Sequence, residues 1–431
     1  MTKLLIVLIV VLAVVALAQL AKVYEITSRM RGKREEEVSL SDNRMNAKLM
    51  LLFMIAFFAF FIWLIFDYKE FFLPVSASEH GVAIDALMNF NWWIVIAVFF
   101  ITNALLFFFS YKYYDRPGAK AFYYPHNNKL EMIWTVVPAI VLAVLIIYGL
   151  NVWNNITDEA DDDAELVEFY SKQFDWTARY PGPDGKLGPT DFRLINGTNP
   201  LGIATATTIQ IRLAEMAEEV KEMKHDLHEN EDITPDNILA EKTDRMERLG
   251  RHRARLLGLQ KRMNTDIKNN GEGSIYKAGE DDIVIKEAHM PLGKEVKMVF
   301  RSQDVIHSAF LPHFRAQMNT VPGMSTTFKM TPTITTDSMR LITNNPDFNY
   351  ILLCNKICGA SHYNMQMDIV VESEAAYRIW LAKQKAFMAN DAEAEDEVEM
   401  KENASSEVSM TEEEEIAENS DAIEANNSMN D

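Results

Sequence analysis

The chain has very little cysteine: only two residues among 431, Cys354 and Cys358. It has no CxxCH run, so no covalently attached heme is expected on it. No basic stripe of the chain argues for a nucleic-acid-binding class, because the basic residues of the chain are matched by an acidic helix beside them. Long apolar runs, in contrast, are present near the N-terminus, and they decide the compartment.

The acidic charge of the chain is concentrated in its C-terminal segment. Net charge is −20, and residues 391–431 contain 16 Asp or Glu against one Lys, which is −15 and leaves −5 for the other 390 residues. Because this segment is poor in large apolar side chains, we predict that residues 389–431 form a disordered tail. Two roles stay open for it: solvation, and docking to a basic partner.

Four apolar runs predict transmembrane helices, since a bilayer crossing needs about 20 mostly apolar residues. They cover residues 4–21, 50–66, 92–110 and 132–150, within a membrane part at residues 1–155. Basic residues between positions 22 and 48 favour a cytoplasmic loop after the first helix, which places everything after residue 151 outside the cytoplasm. The first run also has features of a cleavable signal peptide, an alternative that stays open.

Short stretches rich in β-branched and aromatic residues then predict an all-β sandwich or barrel. The predicted strands lie within residues 165–180, 282–286, 295–300, 325–330, 339–343, 350–353 and 367–371. His307 follows one of these strands, in the run DVIHS. We expect this β domain to comprise residues 165–202 and 272–385.

Residues 203–271 interrupt the β pattern with two helices. Apolar residues from Ile209 to Leu227 recur every three or four positions, which is typical of a helix with a coiled-coil seam, and a second helix can begin after Pro235. The first helix is acidic and the second basic, so we predict an antiparallel helical hairpin with complementary flanks. Its histidines are interpreted as solvated residues: His225, His228 and His252.

The two cysteines belong to the run CNKICGASHYNM, which combines Cys354 and Cys358 with His362 and Met365. Thiolate and thioether are soft donors that favour copper, and an axial Met is typical of electron-transfer copper sites. Two thiolates could bridge a pair of copper ions. The alternatives are a disulfide and a structural zinc clip; a disulfide leaves His362 and Met365 unexplained, and zinc rarely takes Met.

A second imidazole is needed to balance His362, and the chain has only nine histidines. The candidates in the β domain besides His362 are His289, His307 and His313. We select His307, because we expect a separate loop at the end of a strand to bring it to the cysteine run.

Four motifs together resemble subunit II of heme-copper cytochrome c oxidase of the copper A-containing, bacterial aa3-like type: DVIHS, VPGM, CNKICGASHYNM and LEMIWTVVPAI. The resemblance covers roughly residues 91–155, 165–202 and 271–385. It implies a cupredoxin-like domain on the periplasmic side of a bacterial inner membrane. It also implies a binuclear copper A centre of two copper ions in that domain.

The same resemblance implies a ligand set for the copper pair. Cys354 and Cys358 would bridge both ions. His307 and Met365 would complete one ion, and His362 with the backbone carbonyl of Lys356 would complete the other.

Electron and proton transfer roles follow from the resemblance as well. The centre would accept single electrons from a cytochrome c and pass them to heme in subunit I. There heme and copper B would reduce oxygen to water, coupled to proton pumping. Glu131, just before the fourth apolar run, matches a carboxylate at the entrance of a proton path. By position alone, Glu131 could also be a carboxylate that reaches the headgroups.

The sequence departs from the family at two site positions. Lys356 stands where the family usually has Glu, so the carboxylate that helps to bind magnesium at the subunit I interface is gone. We hypothesise that the Lys356 ammonium replaces that cation. The run QFDW has Phe174, not Trp, at the place where electrons from soluble cytochrome c arrive, with Trp176 in the second place. An unusual or permanently associated cytochrome donor is therefore an alternative.

Two segments exceed the family's plan: the first two helices and the helical hairpin. We expect both to dock other oxidase subunits, with lineage-specific decoration as the alternative. Rival functions are a membrane-anchored copper chaperone, a copper-free quinol oxidase subunit II, and a domain of a nitrous oxide reductase. The late position of the cysteines, the complete ligand set and the fourth helix argue against each in turn.

Overall fold

The computed structural model of the chain describes residues 2–30, 39–229 and 235–388. The chain divides into two compact units, one within Met1–Leu73 and Ala86–Gly149 and the other within Pro74–Asp85 and Leu150–Asp431. The prediction for the tail at residues 389–431 lies outside the described residues.

Long apolar helices make up the first unit and its flanks: α1 (Thr2–Met30), α2 (Leu40–Tyr68), α3 (Glu79–Lys112) and α4 (Asn128–Thr157). Among the described residues each of these four contains a stretch long and apolar enough to cross a membrane. The four predicted transmembrane helices are confirmed, but they are longer than predicted. Lys22 lies on α1 and Lys48 on α2 rather than in a loop, because lysine is itself a good helix former.

Aromatic side chains pack α2 against α3. The ring centroids of Phe61 and Phe99 are 4.8 Å apart, and those of Phe58 and Phe100 are 4.7 Å apart. Pairs at this spacing contribute about 0.5–1.5 kcal/mol each beyond area burial. The two helices are therefore held as neighbours by an aromatic seam.

The second unit contains the β domain. Its described strands are β1 (Glu165–Lys172), β2 (Asp175–Tyr180), β3 (Ile283–Ile285), β4 (Ala288–Pro291), β5 (Val296–Ser302), β6 (His307–Leu311), β7 (Ala316–Thr320), β8 (Thr326–Met330), β9 (Tyr350–Cys354) and β10 (Gln366–Glu372). They form two five-stranded sheets, in the order β3-β2-β1-β5-β8 and β4-β10-β9-β6-β7. Neighbouring strands are antiparallel except β1 with β5 and β4 with β10.

Apolar side chains from both sheets meet in a shared core. Phe169 on β1 and Phe300 on β5 are fully buried, and their rings stack with centroids 5.7 Å apart. Leu311 and Leu352 contribute to the same core from the other sheet. Two sheets packed through alternating apolar faces form a β-sandwich, in agreement with the predicted cupredoxin-like domain.

The predicted strand at residues 339–343 is wrong, because these residues belong to helix α7 (Thr336–Thr343). The Thr335 hydroxyl accepts a hydrogen bond from the Ser338 amide at 3.2 Å, and Asn344 ends the helix in the left-handed conformation with φ 50°. Capping at both ends outweighs the apolar, strand-like composition of the segment. A second short helix, α8 (Glu374–Leu381), follows β10.

The segment between β2 and β3 forms the predicted helical hairpin, from α5 (Ala206–Glu229) and α6 (Asp236–Asn270). Both helices contribute to one buried cluster that includes Ile209, Met216, Leu256 and Met263. An ion pair between Asp226, near the end of α5, and Lys242, near the start of α6, fits the antiparallel arrangement. Most other ion pairs of the described hairpin lie within one helix, so complementary flanks are a minor part of its stability.

A buried ion-pair network joins the two ends of this long excursion. Arg179 on β2 is fully buried and forms ion pairs with Asp282, just before β3, and with Glu168 on β1 at 3.2 Å. Its guanidinium also donates to the Gly188 carbonyl at 2.7 Å, and the Gly188 amide donates to Asp282 at 3.2 Å. The chain therefore leaves and re-enters the sheet at a point fixed by buried charges.

Candidate metal centre

Strand pairing brings the two halves of the candidate site together. Strand β9 ends at Cys354, and its antiparallel pairing with β6 places Ala309 opposite Cys354. His307, two residues before Ala309, begins β6. The prediction that His307 lies in a loop after a strand is therefore wrong: the histidine is held by the sheet ladder itself, because its residue pairs with Thr320 on β7.

Four donor groups surround two thiols in this structure. Cys354 Sγ and Cys358 Sγ are 3.8 Å apart. His307 Nδ1 lies 3.7 Å from Cys354 Sγ, and His362 Nδ1 lies 3.6 Å from Cys358 Sγ. The remaining donors are Met365 Sδ, 3.8 Å from Cys358 Sγ, and the Lys356 carbonyl oxygen, 3.2 Å from Cys354 Sγ.

The two cysteines are free thiols in a buried setting. Their sulphur atoms are 3.8 Å apart, whereas a disulfide needs about 2.05 Å. Burial, and after it the neighbouring Cys354 thiol, raises the pKa of the Cys358 thiol to about 11. Thiolates at this site therefore need a bound cation, and metal binding should release protons.

The donor set fits copper. Two sulphur atoms of cysteine, one thioether and two imidazoles form a mostly soft set, and a hard oxygen-loving cation would find only one carbonyl. His307, Cys354 and Cys358 alone already place three ligand atoms within 4.8 Å of one another. Met365 and His307 are almost completely buried, so the site is largely dry.

Asp304, which is not among the site residues predicted from the sequence, orients His307. The His307 Nε2–H lies 2.9 Å from Asp304 Oδ1, so the opposite ring nitrogen, Nδ1, faces Cys354. Burial pushes the pKa of Asp304 up, but hydrogen bonds from His307, Gln173 and Val305 together lower it below its ordinary value. The only sequence signal for this role is the spacing of three residues between Asp304 and His307.

Gln173 and Phe174 support the loop that carries Cys358. The Gln173 side chain donates a hydrogen bond to the Cys358 carbonyl, and its backbone amide donates to Asp304 at 2.7 Å. Gly359, the next residue, has φ 148°, a conformation that L side chains rarely adopt. A Cβ built there would lie 2.8 Å from Gln173 Nε2 and from two ring carbons of Phe174.

Replacing Gly359 with alanine should therefore weaken the site. The added Cβ meets both a disfavoured φ and two close neighbours, a strain of about 1–3 kcal/mol. Because Cys358 is the preceding residue, we expect copper affinity to drop by about tenfold or more. Competition with a chelator measures it, with Ala360→Ser at an exposed neighbouring position as the control. Equal affinity in Gly359→Ala and the control would contradict the expected strain.

The structure separates the two aromatic residues predicted for electron arrival. Trp176 on β2 is fully buried, and its ring lies edge-on to His307 with centroids 6.2 Å apart. Phe174 is only half-buried and packs beside Gly359. Of the two, Phe174 is the one that a docked partner can reach, and Trp176 is the one that touches a candidate ligand.

The other two β-domain histidines lie away from the thiols. His289 stacks on Trp380 with ring centroids 3.9 Å apart, and its Nδ1 is 2.7 Å from Glu372. His313 lies edge-on to Tyr350 at 5.4 Å, and burial lowers its pKa. The sequence predicts that the hairpin histidine His252 is solvated, and this prediction is wrong. His252 is half-buried, because its ring packs edge-on against Phe192.

Glu131 is at the first turn of α4, where it caps the helix. Its Oε1 accepts a hydrogen bond from the Asn127 amide at 3.2 Å, and Asn127 Oδ1 accepts one from the Leu130 amide at 3.1 Å. This reciprocal arrangement satisfies two backbone donors that a helix start leaves open. Pro138 lies inside the same helix, as the sequence shows.

Comparison with known proteins identifies both parts of the chain. Residues 67–152 match the family model of the cytochrome c oxidase subunit II transmembrane domain, and residues 269–374 match that of its periplasmic domain. The alternative cytochrome c oxidase subunit 2 of Bradyrhizobium diazoefficiens is 29% identical over 306 residues, 70% of this chain and 81% of the relative. Cytochrome c oxidase subunit 2 of Thermostichus vulcanus is 21% identical over 318 residues, 73% of this chain and 79% of the relative.

A solved structure of the periplasmic domain of subunit II of cytochrome oxidase from Bradyrhizobium japonicum is also similar. The match covers 52% of this chain and 94% of the chain in the solved structure, with 14% identity and a TM-score of 0.25. The two family models leave α1, nearly all of α2, strands β1 and β2, and nearly all of the helical hairpin unmatched. The transmembrane and periplasmic matches together assign residues 67–152 and 269–374 to the two domains of the cytochrome c oxidase subunit II family.

Proposed function

We propose that the β domain holds a binuclear copper A centre, through which the chain takes single electrons from a cytochrome c and passes them to heme in subunit I. The observation that carries this proposal is the pair of free thiols 3.8 Å apart with an imidazole nitrogen beside each one. By its two matched domains, the chain is a membrane-bound component of an oxidase complex, with the β domain as its periplasmic part. The bacterial inner membrane is the proposed location.

Six residues would hold the copper pair. Cys354 and Cys358 would bridge the ions, His307 and Met365 would complete one, and His362 with the Lys356 carbonyl would complete the other. Bound there, copper would supply one-electron redox chemistry without any bond to a substrate.

The chain's own residues serve electron transfer by holding the site rigid and dry. Asp304 fixes the ring of His307, and Gln173 ties Asp304 to the Cys358 carbonyl. A fixed ligand shell changes little when the charge on the metal changes, which favours fast transfer. Burial of Met365 and His307 excludes water from the same place.

Exposed apolar side chains beside the ligands support a partner surface at this end of the β domain. Ile357, between the cysteines, is 85% exposed, and Tyr363, next to His362, is 86% exposed. Apolar groups left in water beside a buried site are typical of a protein interface. We assign this rim to contacts with subunit I or with the cytochrome donor, where Phe174 takes the place of the usual tryptophan.

Glu131 is proposed as the entrance of a proton path into subunit I, in addition to its role in capping α4.

Magnesium at the subunit interface is not proposed, since Lys356 supplies an exposed ammonium in place of a carboxylate. If metal analysis of the purified complex finds magnesium bound beside residue 356, the proposal that the Lys356 ammonium replaces this cation is overturned.

The proposed function is tested by loading the purified full-length chain, separated from the heme-containing subunit, with copper. We expect a purple protein with about two copper ions per β domain and a mixed-valence electron spin resonance signal. A colourless protein that retains zinc, or one that takes no copper, would overturn the proposal. A chaperone would instead place its cysteines at a strand-to-helix turn, whereas here they end β9 and precede β10.

A further inference from the structure

The part of α6 that lies closest to the β-domain end of the hairpin is strongly basic. Residues 248–268 contain seven Lys or Arg and one Asp, a charge of +6. All seven basic side chains are exposed: Arg248, Arg251, Arg253, Arg255, Lys261, Arg262 and Lys268. We call this surface the basic half of α6. Helix α6 ends at Asn270, and the chain then continues to β3. The basic half of α6 therefore adjoins the foot of the hairpin, which is the end where α5 begins and α6 ends.

Few acidic groups offset this surface. Arg248 pairs with Asp244 at 3.0 Å and Arg251 with Glu247 at 3.4 Å, both within the helix and both exposed. Within the described part of the chain the other five basic side chains form no ion pair: Arg253, Arg255, Lys261, Arg262 and Lys268. The basic half of α6 therefore presents unneutralised positive charge to solvent.

The last described residues, Phe387 and Met388, lie at the foot of the same hairpin. Phe387 is buried in a cluster with Leu201 and Ile203, and its amide donates to the Asp282 carbonyl at 2.6 Å. The Thr205 hydroxyl, one residue before α5, lies 3.8 Å from Met388 Sδ. Residues 389–431 thus begin where the hairpin begins and ends. They carry a charge of −15, with six of the acidic residues within 391–399.

We propose that residues 389–431 dock on the basic half of α6. The charges are opposite and large, and the attachment point of the segment adjoins the surface. Residues 248–268 of a helix span about 30 Å, which about ten extended residues can cover at about 3.3 Å each. Because both partners belong to one chain, the effective concentration is of the order of millimolar. The proposal goes beyond the copper function and holds whether or not copper binds.

Docking would neutralise the positive charge of the basic half of α6. With the acidic segment in place, the hairpin would present a neutralised surface to other subunits and to polyanions. Exposed charge pairs are individually weak and are screened by salt. The contact should therefore be multivalent and sensitive to ionic strength.

The test is zero-length carbodiimide cross-linking of the full-length chain in its purified complex, followed by mass spectrometry. Lys261 and Lys268 serve as amine reporters, and we expect both to link to carboxylates of residues 391–431. Changing Arg255 and Arg262 together to Gln should lower the yield about fivefold, as should salt of about 1 M, where the Debye length is about 3 Å. The matched control is Lys221→Gln with Lys224→Gln, which removes two exposed charges from α5 and should leave the yield unchanged.

Chains labelled with heavy nitrogen and mixed with unlabelled ones identify the origin of each link. Links within one isotope class support docking within the chain, and links of mixed mass would show that a second copy supplies the segment, which overturns the proposal. Absence of links to both lysines, or yields that ignore the arginine substitutions, would overturn it too. As a second measurement, deleting residues 389–431 should raise acetylation of Lys261 and Lys268 about threefold over Lys221; unchanged acetylation contradicts docking.

Discussion

Replacing Cys358 with serine is expected to remove the binuclear copper signal from the full-length chain. The two thiols lie 3.8 Å apart and each has its own imidazole neighbour, so both are needed to bridge a metal pair. A hydroxyl is a harder donor that copper does not favour at a bridging position. The mixed-valence electron spin resonance signal should disappear, and electron transfer from reduced cytochrome c should fall by at least about a hundredfold.

Lys356→Ala is the matched control for this substitution. The Lys356 carbonyl oxygen, not its exposed side chain, lies beside Cys354 Sγ, so the variant keeps every donor. It should retain both the copper content and the signal. A mixed-valence signal in Cys358→Ser, or its loss in Lys356→Ala, would contradict the assigned ligand set.

Much of this site is predictable because its donors are local in sequence. Cys354, Cys358, His362 and Met365 fall within one strand end and the following loop, so their types and spacing already indicate a soft-metal site. His307 could be selected because the chain has few histidines. Its position on a strand could not, since that depends on the pairing of β6 with β7 and β9.

The supporting residues were beyond reach of the sequence for a physical reason. Gln173 acts through hydrogen bonds to Asp304 and to the Cys358 carbonyl, each more than 100 residues away in sequence. Asp304 is only three residues from His307, but its residue type is not distinctive on its own. The burial of Trp176 in the core beside His307 likewise depends on the sheet, so the motif alone does not show it. The prediction of a strand at residues 339–343 is wrong because the helix caps at Thr335 and Asn344 outweigh the strand-like composition of the segment.

Replacing Arg179 with alanine should destabilise the β domain strongly. The substitution leaves Asp282 and Glu168 buried without their cation, and breaking a buried pair in this way costs about 3–5 kcal/mol. The loss should appear as faster amide hydrogen exchange in β1, β2 and β3, measured on the full-length chain. Arg378→Ala removes an exposed ion pair to Glu165 and should cost less than about 1 kcal/mol.

The loss in the Arg179 variant should also depend on pH in a defined direction. In the native chain burial raises the pKa of Asp282 to about 6, against the opposing pull of Arg179, whereas an unfolded aspartate titrates near pKa 3.9. The folded state therefore binds more protons between these values, so the contribution of this group to stability falls as pH rises through that window. Without Arg179 the folded pKa of Asp282 rises further, and the cost of the substitution should be smaller at pH 5 than at pH 8. A cost that is equal at both pH values, after correction for intrinsic exchange rates, would show that packing and not buried charge makes Arg179 necessary.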